Sequence, residues 1–164
     1  MPATARARIY KLLLNMELRH IIAARLRLLH RLSCPWTSQD VPSSSYRGDY
    51  AELVAASYLR AAGLRVLRRR FRYGRRGELD IVAREEETLV VCEVKSTISP
   101  GAGAPARAIN HTKRRLLRHG AYNWLALLGR RVPVRFDVVE VYLAAGKRPR
   151  IVWRKDVFPL SSNR

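Results

Sequence analysis

Two short segments on either side of an acidic turn constrain this chain most. Gly-Glu-Leu-Asp-Ile-Val-Ala at 77–83 and Thr-Leu-Val-Val-Cys-Glu-Val-Lys-Ser at 88–96 flank the turn from Arg84 to Glu87. Apolar, β-branched runs of this length broken by a polar turn predict a β-hairpin. Residues two apart on a strand share a face, so Glu93 and Lys95 are expected opposite Cys92 and Val94, and Glu78 and Asp80 opposite Leu79 and Ile81. A turn centred on Glu86 and Glu87 would set Asp80 across from Glu93, and Glu78 across from Lys95. Carboxylates and a lysine then meet on one face, whereas a slip of one residue would turn one set away.

Carboxylates about 5 Å apart across a hairpin repel one another. Keeping them together at neutral pH requires raised pKa values, a cationic neighbour or a hard divalent cation. Oxygen ligands without His or Cys favour Mg²⁺ or Mn²⁺ over zinc. A cation between Asp80 and Glu93 would polarise a phosphate and activate a bound water, with Lys95 beside it, which is the chemistry of phosphodiester hydrolysis. The plain alternative is a cross-strand salt bridge between Glu78 and Lys95, worth about 0.2–1 kcal/mol. Spacing alone leaves both open.

Charge points to the partner. The 164 residues hold 32 Lys and Arg against 13 Asp and Glu, a net charge of +19, and a chain this basic is expected to meet an anionic polymer. Arg65, Arg68, Arg69, Arg70, Arg72, Arg75 and Arg76 form a run just ahead of the carboxylates, broken by Phe71 and Tyr73. Such a run would track a phosphate backbone, and its aromatics would either stack on unpaired bases or belong to the core. Lys113, one helical turn after Ile109, leans inward and would reach a phosphate unless it snorkels at the helix edge. Arg114, Arg115 and Arg118 would extend the footprint. Asp137 alternates with Arg135 and is expected to pair with it.

The length suits one domain with an appendage. Residues 5–32 read as a basic amphipathic helix within an extension over 1–32, open to service as a nucleic-acid arm, a membrane-surface helix, a transit peptide or a packed helix. Met16 offers an alternative start. Residues 33–47, rich in Pro and Ser, read as a linker, and 48–160 as the domain. Asp49-x-x-Glu52 matches a capping box opening a helix whose stripe is Ala51, Val54, Ala55, Tyr58, Leu59 and Ala62, stopped by Gly63. Residues 64–73 are expected as an edge strand defended by its arginines. A loop at 98–106 precedes a helix from about Ala106 to Leu128 with Ile109, Leu116, Ala121, Trp124 and Leu128 inward, followed by strands at 135–143 and 150–155. This order predicts an α/β domain with a mixed central sheet flanked by helices. Gly101-x-Gly103-x-x-Ala106 matches a dinucleotide fingerprint only formally, since no acidic residue follows at the required distance. Cys34 and Cys92 make no disulfide framework and the histidines no zinc pattern, so a reduced, cytoplasmic setting is expected. No apolar run is long enough for stable membrane insertion.

Gly-Glu-Leu-Asp-Ile-Val-Ala, Val-Cys-Glu-Val-Lys, the Gly-rich loop, the helix bearing Lys113 and Arg-Phe-Asp-Val-Val together resemble the YraN-type family of predicted endonucleases, in the PD-(D/E)xK superfamily near the archaeal Holliday-junction resolvases. The resemblance runs from about Gly48 to Phe158. It implies a restriction-endonuclease-like fold and a nuclease acting on DNA in preference to RNA, including branched or flapped DNA. It also implies that Asp80 is the metal aspartate and that Glu93 and Lys95 are the E-x-K pair. Glu52 resembles the helix glutamate completing the site in related resolvases, so the implied metal set is Glu52, Asp80 and Glu93; helix capping is its other explanation. Junction resolution would require two sites and hence a homodimer. Two departures, Arg70-Phe71-Arg72 in place of Asn before an aromatic and Arg, and Thr97 where a basic residue often stands, bear on substrate binding. A noncatalytic nucleic-acid-binding protein with a nuclease-like fold is the alternative.

Overall fold

The computed structural model describes residues 33–75, 77–98 and 109–161. The expected basic helix at 5–32, most of the 98–106 loop and Arg76 lie outside them. The elements in chain order are α1 (Ser44–Ala61), β1 (Arg65–Tyr73), β2 (Gly77–Glu85), β3 (Thr88–Thr97), α2 (His111–Leu128), β4 (Val134–Tyr142) and β5 (Arg150–Arg154).

Helix α1 starts earlier than the capping-box pattern predicts. Ser43 is the N-cap, its Oγ accepting the Tyr46 N–H at 3.3 Å. A serine hydroxyl serves an orphan N–H of the first turn as well as an aspartate does, so the chain turns helical there. Asp49 and Glu52 are therefore interior helix residues, and Glu52 has no capping task. The expected linker at 33–47 also carries packed residues: Cys34 and Trp36 are buried, and Trp36 meets Tyr50 edge-on at 5.2 Å between centroids. Pro and Ser mark irregular backbone there, not an absence of packing.

The sheet runs β1-β2-β3-β4-β5. β1, β2 and β3 form an antiparallel meander, β4 lies parallel to β3, and β5 returns antiparallel. The parallel step needs a crossover, and the α2 segment supplies it. The arginine-rich β1 takes an edge, as expected. The hairpin register is as expected where the strands pair, from Ile81 across from Cys92 to Glu85 across from Thr88, but the ladder stops short of the expected pairs Asp80–Glu93 and Glu78–Lys95.

α1 covers one face, packing with Ile81, Ala83, Cys92 and Val139, and α2 covers the other, packing with Leu79, Val82, Val91 and Phe136. Leu79 and Ile81 thus lie on opposite faces, against strict alternation. The cause sits at Arg70, which lies between the β1–β2 pairs Arg69–Ile81 and Phe71–Leu79 and has φ of 50°. A left-handed residue within a strand turns the pleat over, and β2 turns with it at Asp80, opposite.

α2 is capped by Asn110, whose side chain accepts the Lys113 N–H at 2.9 Å, so Ile109 lies ahead of the helix and not within it as expected; the helix ends at Gly129 with φ of 65°. Its inward stripe is Lys113, Leu117, Ala121 and Trp124. The phase expected from Leu116 and Leu128 is corrected, since these are 40% and 41% exposed. Gly120 sets that phase: a Cβ there would stand 2.6 Å from the side chains of both Leu79 and Tyr73, so the helix approaches the sheet along this line. No helix among the described residues is long and apolar enough to cross a membrane.

Candidate active site

The β2–β3 ladder ends at Ile81 and Cys92, and beyond it the strands part. Asp80 stands at the fork, its Oδ2 accepting the Val94 N–H at 2.7 Å. Glu78 follows on β2, and Glu52 reaches the same place from α1. One carboxylate oxygen from each of Glu52, Glu78 and Asp80 lies within 4.8 Å of the others. The expected Glu78–Lys95 salt bridge does not form. Glu78 pairs instead with Arg72 across β1 at 2.8 Å, and Lys95 Nζ donates to Glu93 Oε1 at 2.7 Å.

Glu93, 2% exposed, is held between two lysines. Lys113 Nζ lies 2.8 Å from its Oε2, off the hydrogen-bonding direction, so this contact is an ion pair and not an aligned hydrogen bond. Glu52 is gripped by Arg70, whose Nε donates at 2.8 Å to Oε2 and whose Nη2 donates at 3.2 Å to Oε1. The same Nη2 contacts Asp49, and Arg69 Nη2 stands 3.9 Å from Glu52.

The electrostatics follow from this crowding. Burial first, then the nearby Asp80, push the Glu52 carboxyl up to about 7, against the Arg69 guanidinium. Burial and then Glu93 push Asp80 up to about 6, opposed by the Val94 N–H and by Lys113 and Lys95. For Lys113 burial works against the charge, but contact with Glu93 outweighs it and the pKa is raised. Carboxylates with raised pKa values and oxygen donors alone fit a hard divalent cation such as Mg²⁺ or Mn²⁺, which would replace mutual repulsion by attraction.

Of the residues expected to hold a metal, Glu52 and Asp80 are brought together. Glu78 joins them, while Glu93 lies beside Asp80 but outside that group. Lys113 belongs to this site through Glu93. The arginine run does not behave as one track: Arg65, Arg68, Arg72 and Arg75 are exposed, whereas Arg69 and Arg70 turn back toward Glu52. Arg114 donates to the Ile109 carbonyl at 3.0 Å, and Arg114 and Arg118 both lie over the Phe158 ring, so they also fasten the chain end to α2. Tyr73 is core, its hydroxyl donating to the Leu116 carbonyl at 2.6 Å, while Phe71 meets Trp124 edge-on at 4.8 Å. Asp137 is the structural partner expected, accepting from both Nε and Nη2 of Arg135, from Trp153 and from the Asp156 N–H. Asp49 and Trp124 were not singled out as site residues by sequence. Trp124 had a signal, its helical spacing from Lys113; Asp49 had none once it was assigned to a cap.

A mixed five-stranded sheet with a helix on each face, opening at its central hairpin onto gathered acids and lysines, defines an α/β protein of the restriction-endonuclease-like class. Within that class the chain belongs to the YraN-type family: the family model described as "Uncharacterised protein family UPF0102" matches residues 51–141, which include Glu52, Asp80, Glu93, Lys95 and Lys113. It is 43% identical to a UPF0102 protein of Nocardia farcinica over 112 residues, 68% of this chain and 87% of that one. It is 40% identical to one of Porphyromonas gingivalis over 115 residues, covering 70% and 84% of the two chains. A third, from Geotalea uraniireducens, is 34% identical over 127 residues, covering 76% and 98%.

Proposed function

We propose that this protein is a divalent-metal-dependent endonuclease that hydrolyses phosphodiester bonds in DNA, including branched or flapped DNA, in the cytoplasm. The convergence of Glu52, Glu78 and Asp80 at the fork of the hairpin, next to Glu93 and Lys95, carries this proposal. Glu52 and Asp80, with Glu78 or Glu93 beside them, would hold Mg²⁺ or Mn²⁺. When bound, such an ion polarises a phosphate and lowers the pKa of water. The chain's own residues do the rest. Glu93 Oε1 holds the Lys95 ammonium, which would orient the attacking water and steady charge developing on the phosphate. Lys113 holds the other side of Glu93. Arg75, exposed after β1, would draw the backbone toward the acids, and cutting both arms of a junction would take two copies of the chain.

The test is incubation with linear, flapped and four-way DNA in Mg²⁺ or Mn²⁺. Cleavage should vanish with EDTA and fall at least a hundredfold, on the order of a missing catalytic group, in Asp80→Ala and Glu93→Ala. Undiminished cleavage by those variants would sink the assignment.

One observation favours a noncatalytic nucleic-acid-binding protein: Arg70 on Glu52, and Lys95 and Lys113 on Glu93, already supply cations within the chain. That protein would bind DNA or RNA with salt sensitivity but show no calorimetric binding of Mn²⁺, whereas the endonuclease should bind Mn²⁺ and lose that binding in Asp80→Asn.

A further inference from the structure

At the β1 edge, Arg68, Arg70, Phe71, Arg72 and Trp124 line a pocket of about 420 Å³. Its size is in the range of small-ligand sites. Phe71 and Trp124 are both half-buried and set edge to face, centroids 4.8 Å apart, so the pocket has an aromatic wall that is not closed over by the core. Its other walls are arginine side chains. Two of these are also partners of the acid cluster: Arg70 holds Glu52 and Arg72 holds Glu78, each through an Nε–carboxylate contact of 2.8 Å. The pocket and the cluster are therefore joined through two arginines.

We propose that this pocket takes an unpaired nucleobase, from the nucleotide next to the phosphate that faces the carboxylates. The inference rests on the proposed action on nucleic acid and narrows it to strands with an exposed base. Aromatic rings and guanidinium planes both stack on bases, and they do so without regard to sequence because every base has a π-face. A base inside a duplex has both faces covered by its neighbours and cannot enter. Arg70 and Arg72 are already neutralised by carboxylates, so the pocket is less suited to a bare phosphate than to a flat, neutral, polarisable group. Arg68, exposed at the rim, can meet the strand's backbone.

Binding of the full chain is measured by fluorescence anisotropy in EDTA at fixed salt, where cleavage plays no part. The probes are a labelled single strand, a blunt duplex, a flapped duplex, and a single strand of the same length carrying abasic sites. The intact single strand should bind the wild-type protein roughly 5- to 160-fold more tightly than the abasic strand, the span expected for one stacked base. Phe71→Leu and Trp124→Leu should lose a similar factor for the single strand and the flap while duplex affinity stays unchanged. Equal wild-type affinity for the intact and abasic strands would overturn the proposal, whether or not the variants fold. Displacement of the strand by micromolar deoxynucleoside monophosphate would overturn it too, by making the pocket a site for free nucleotides. Because no metal is present, failure here leaves the cleavage assay untouched, and failure of cleavage leaves this measurement standing.

Discussion

Asp80 is under opposed demands. The Val94 N–H favours its ionised form, while burial and the neighbouring Glu93 favour the neutral one and prevail, raising its pKa to about 6. A carboxyl whose folded pKa exceeds its unfolded value binds a proton more tightly in the folded state. Its contribution to stability is therefore complete below the unfolded value of 3.8 and is lost as pH rises through about 6. Asp80→Asn keeps an acceptor for Val94 and removes the charge. Relative to the wild type it should gain on the order of 2–3 kcal/mol between pH 4 and pH 7.5 in metal-free urea titrations. A stability difference that stays flat with pH would contradict this electrostatic balance. Glu52, raised to about 7, acts in the same direction over a window extending about one unit higher. Glu93 and Lys95 could be placed in sequence because alternation and a hairpin turn are local. Arg70's grip on Glu52 could not, because it joins a helix to a strand edge through a left-handed residue, and nothing in the sequence marks an arginine for that conformation.

Among elements, α1 was legible in phase but not in starting point, and α2 in its end but not in its start or phase. Asp49-x-x-Glu52 satisfies the pattern of a cap, yet Ser43 performs that role. Ser43→Ala should cost about 1 kcal/mol, the usual worth of an N-cap. Asp49→Ala should cost less, because Asp49 is half-exposed and Arg70 keeps Glu52 as a partner. The reverse order in thermal or urea unfolding would restore the sequence expectation. For α2, leucine spacing pointed to Leu116, whereas close approach at Gly120 rotates the helix so that Leu117 and Lys113 face the sheet. Gly120→Val would drive a branched side chain into Leu79 and Tyr73. A loss of about 1–3 kcal/mol, typical of overpacking, is expected. The proposed cleavage should weaken as well, because the same helix carries Lys113 to Glu93; a variant as stable as the wild type would show that α2 can shift without cost.

At the scale of the whole molecule the net charge of +19 divides into residues that pack and residues that face solvent, a distinction composition cannot make. Arg118 donates to the Pro159 carbonyl at 3.0 Å and lies over Phe158, and Arg135 is locked onto Asp137 and Glu85, so both are parts of the fold. Arg75 and Arg115 are exposed, on the β1–β2 connection and on α2. If the proposed binding of DNA is electrostatic, removing one cation from a phosphate lowers the slope of log affinity against log salt by about 0.9 for duplex DNA. Arg75→Ala and Arg115→Ala should each lower it by about that amount with unfolding midpoints unchanged. Arg118→Ala should leave the slope alone and cost about 0.5–1 kcal/mol of stability, the scale of an exposed cation–π interaction. A slope that falls equally in all three variants would mean that binding reads total charge and not its arrangement, and the exposed arginines near the acid cluster would then have no special claim on the phosphate.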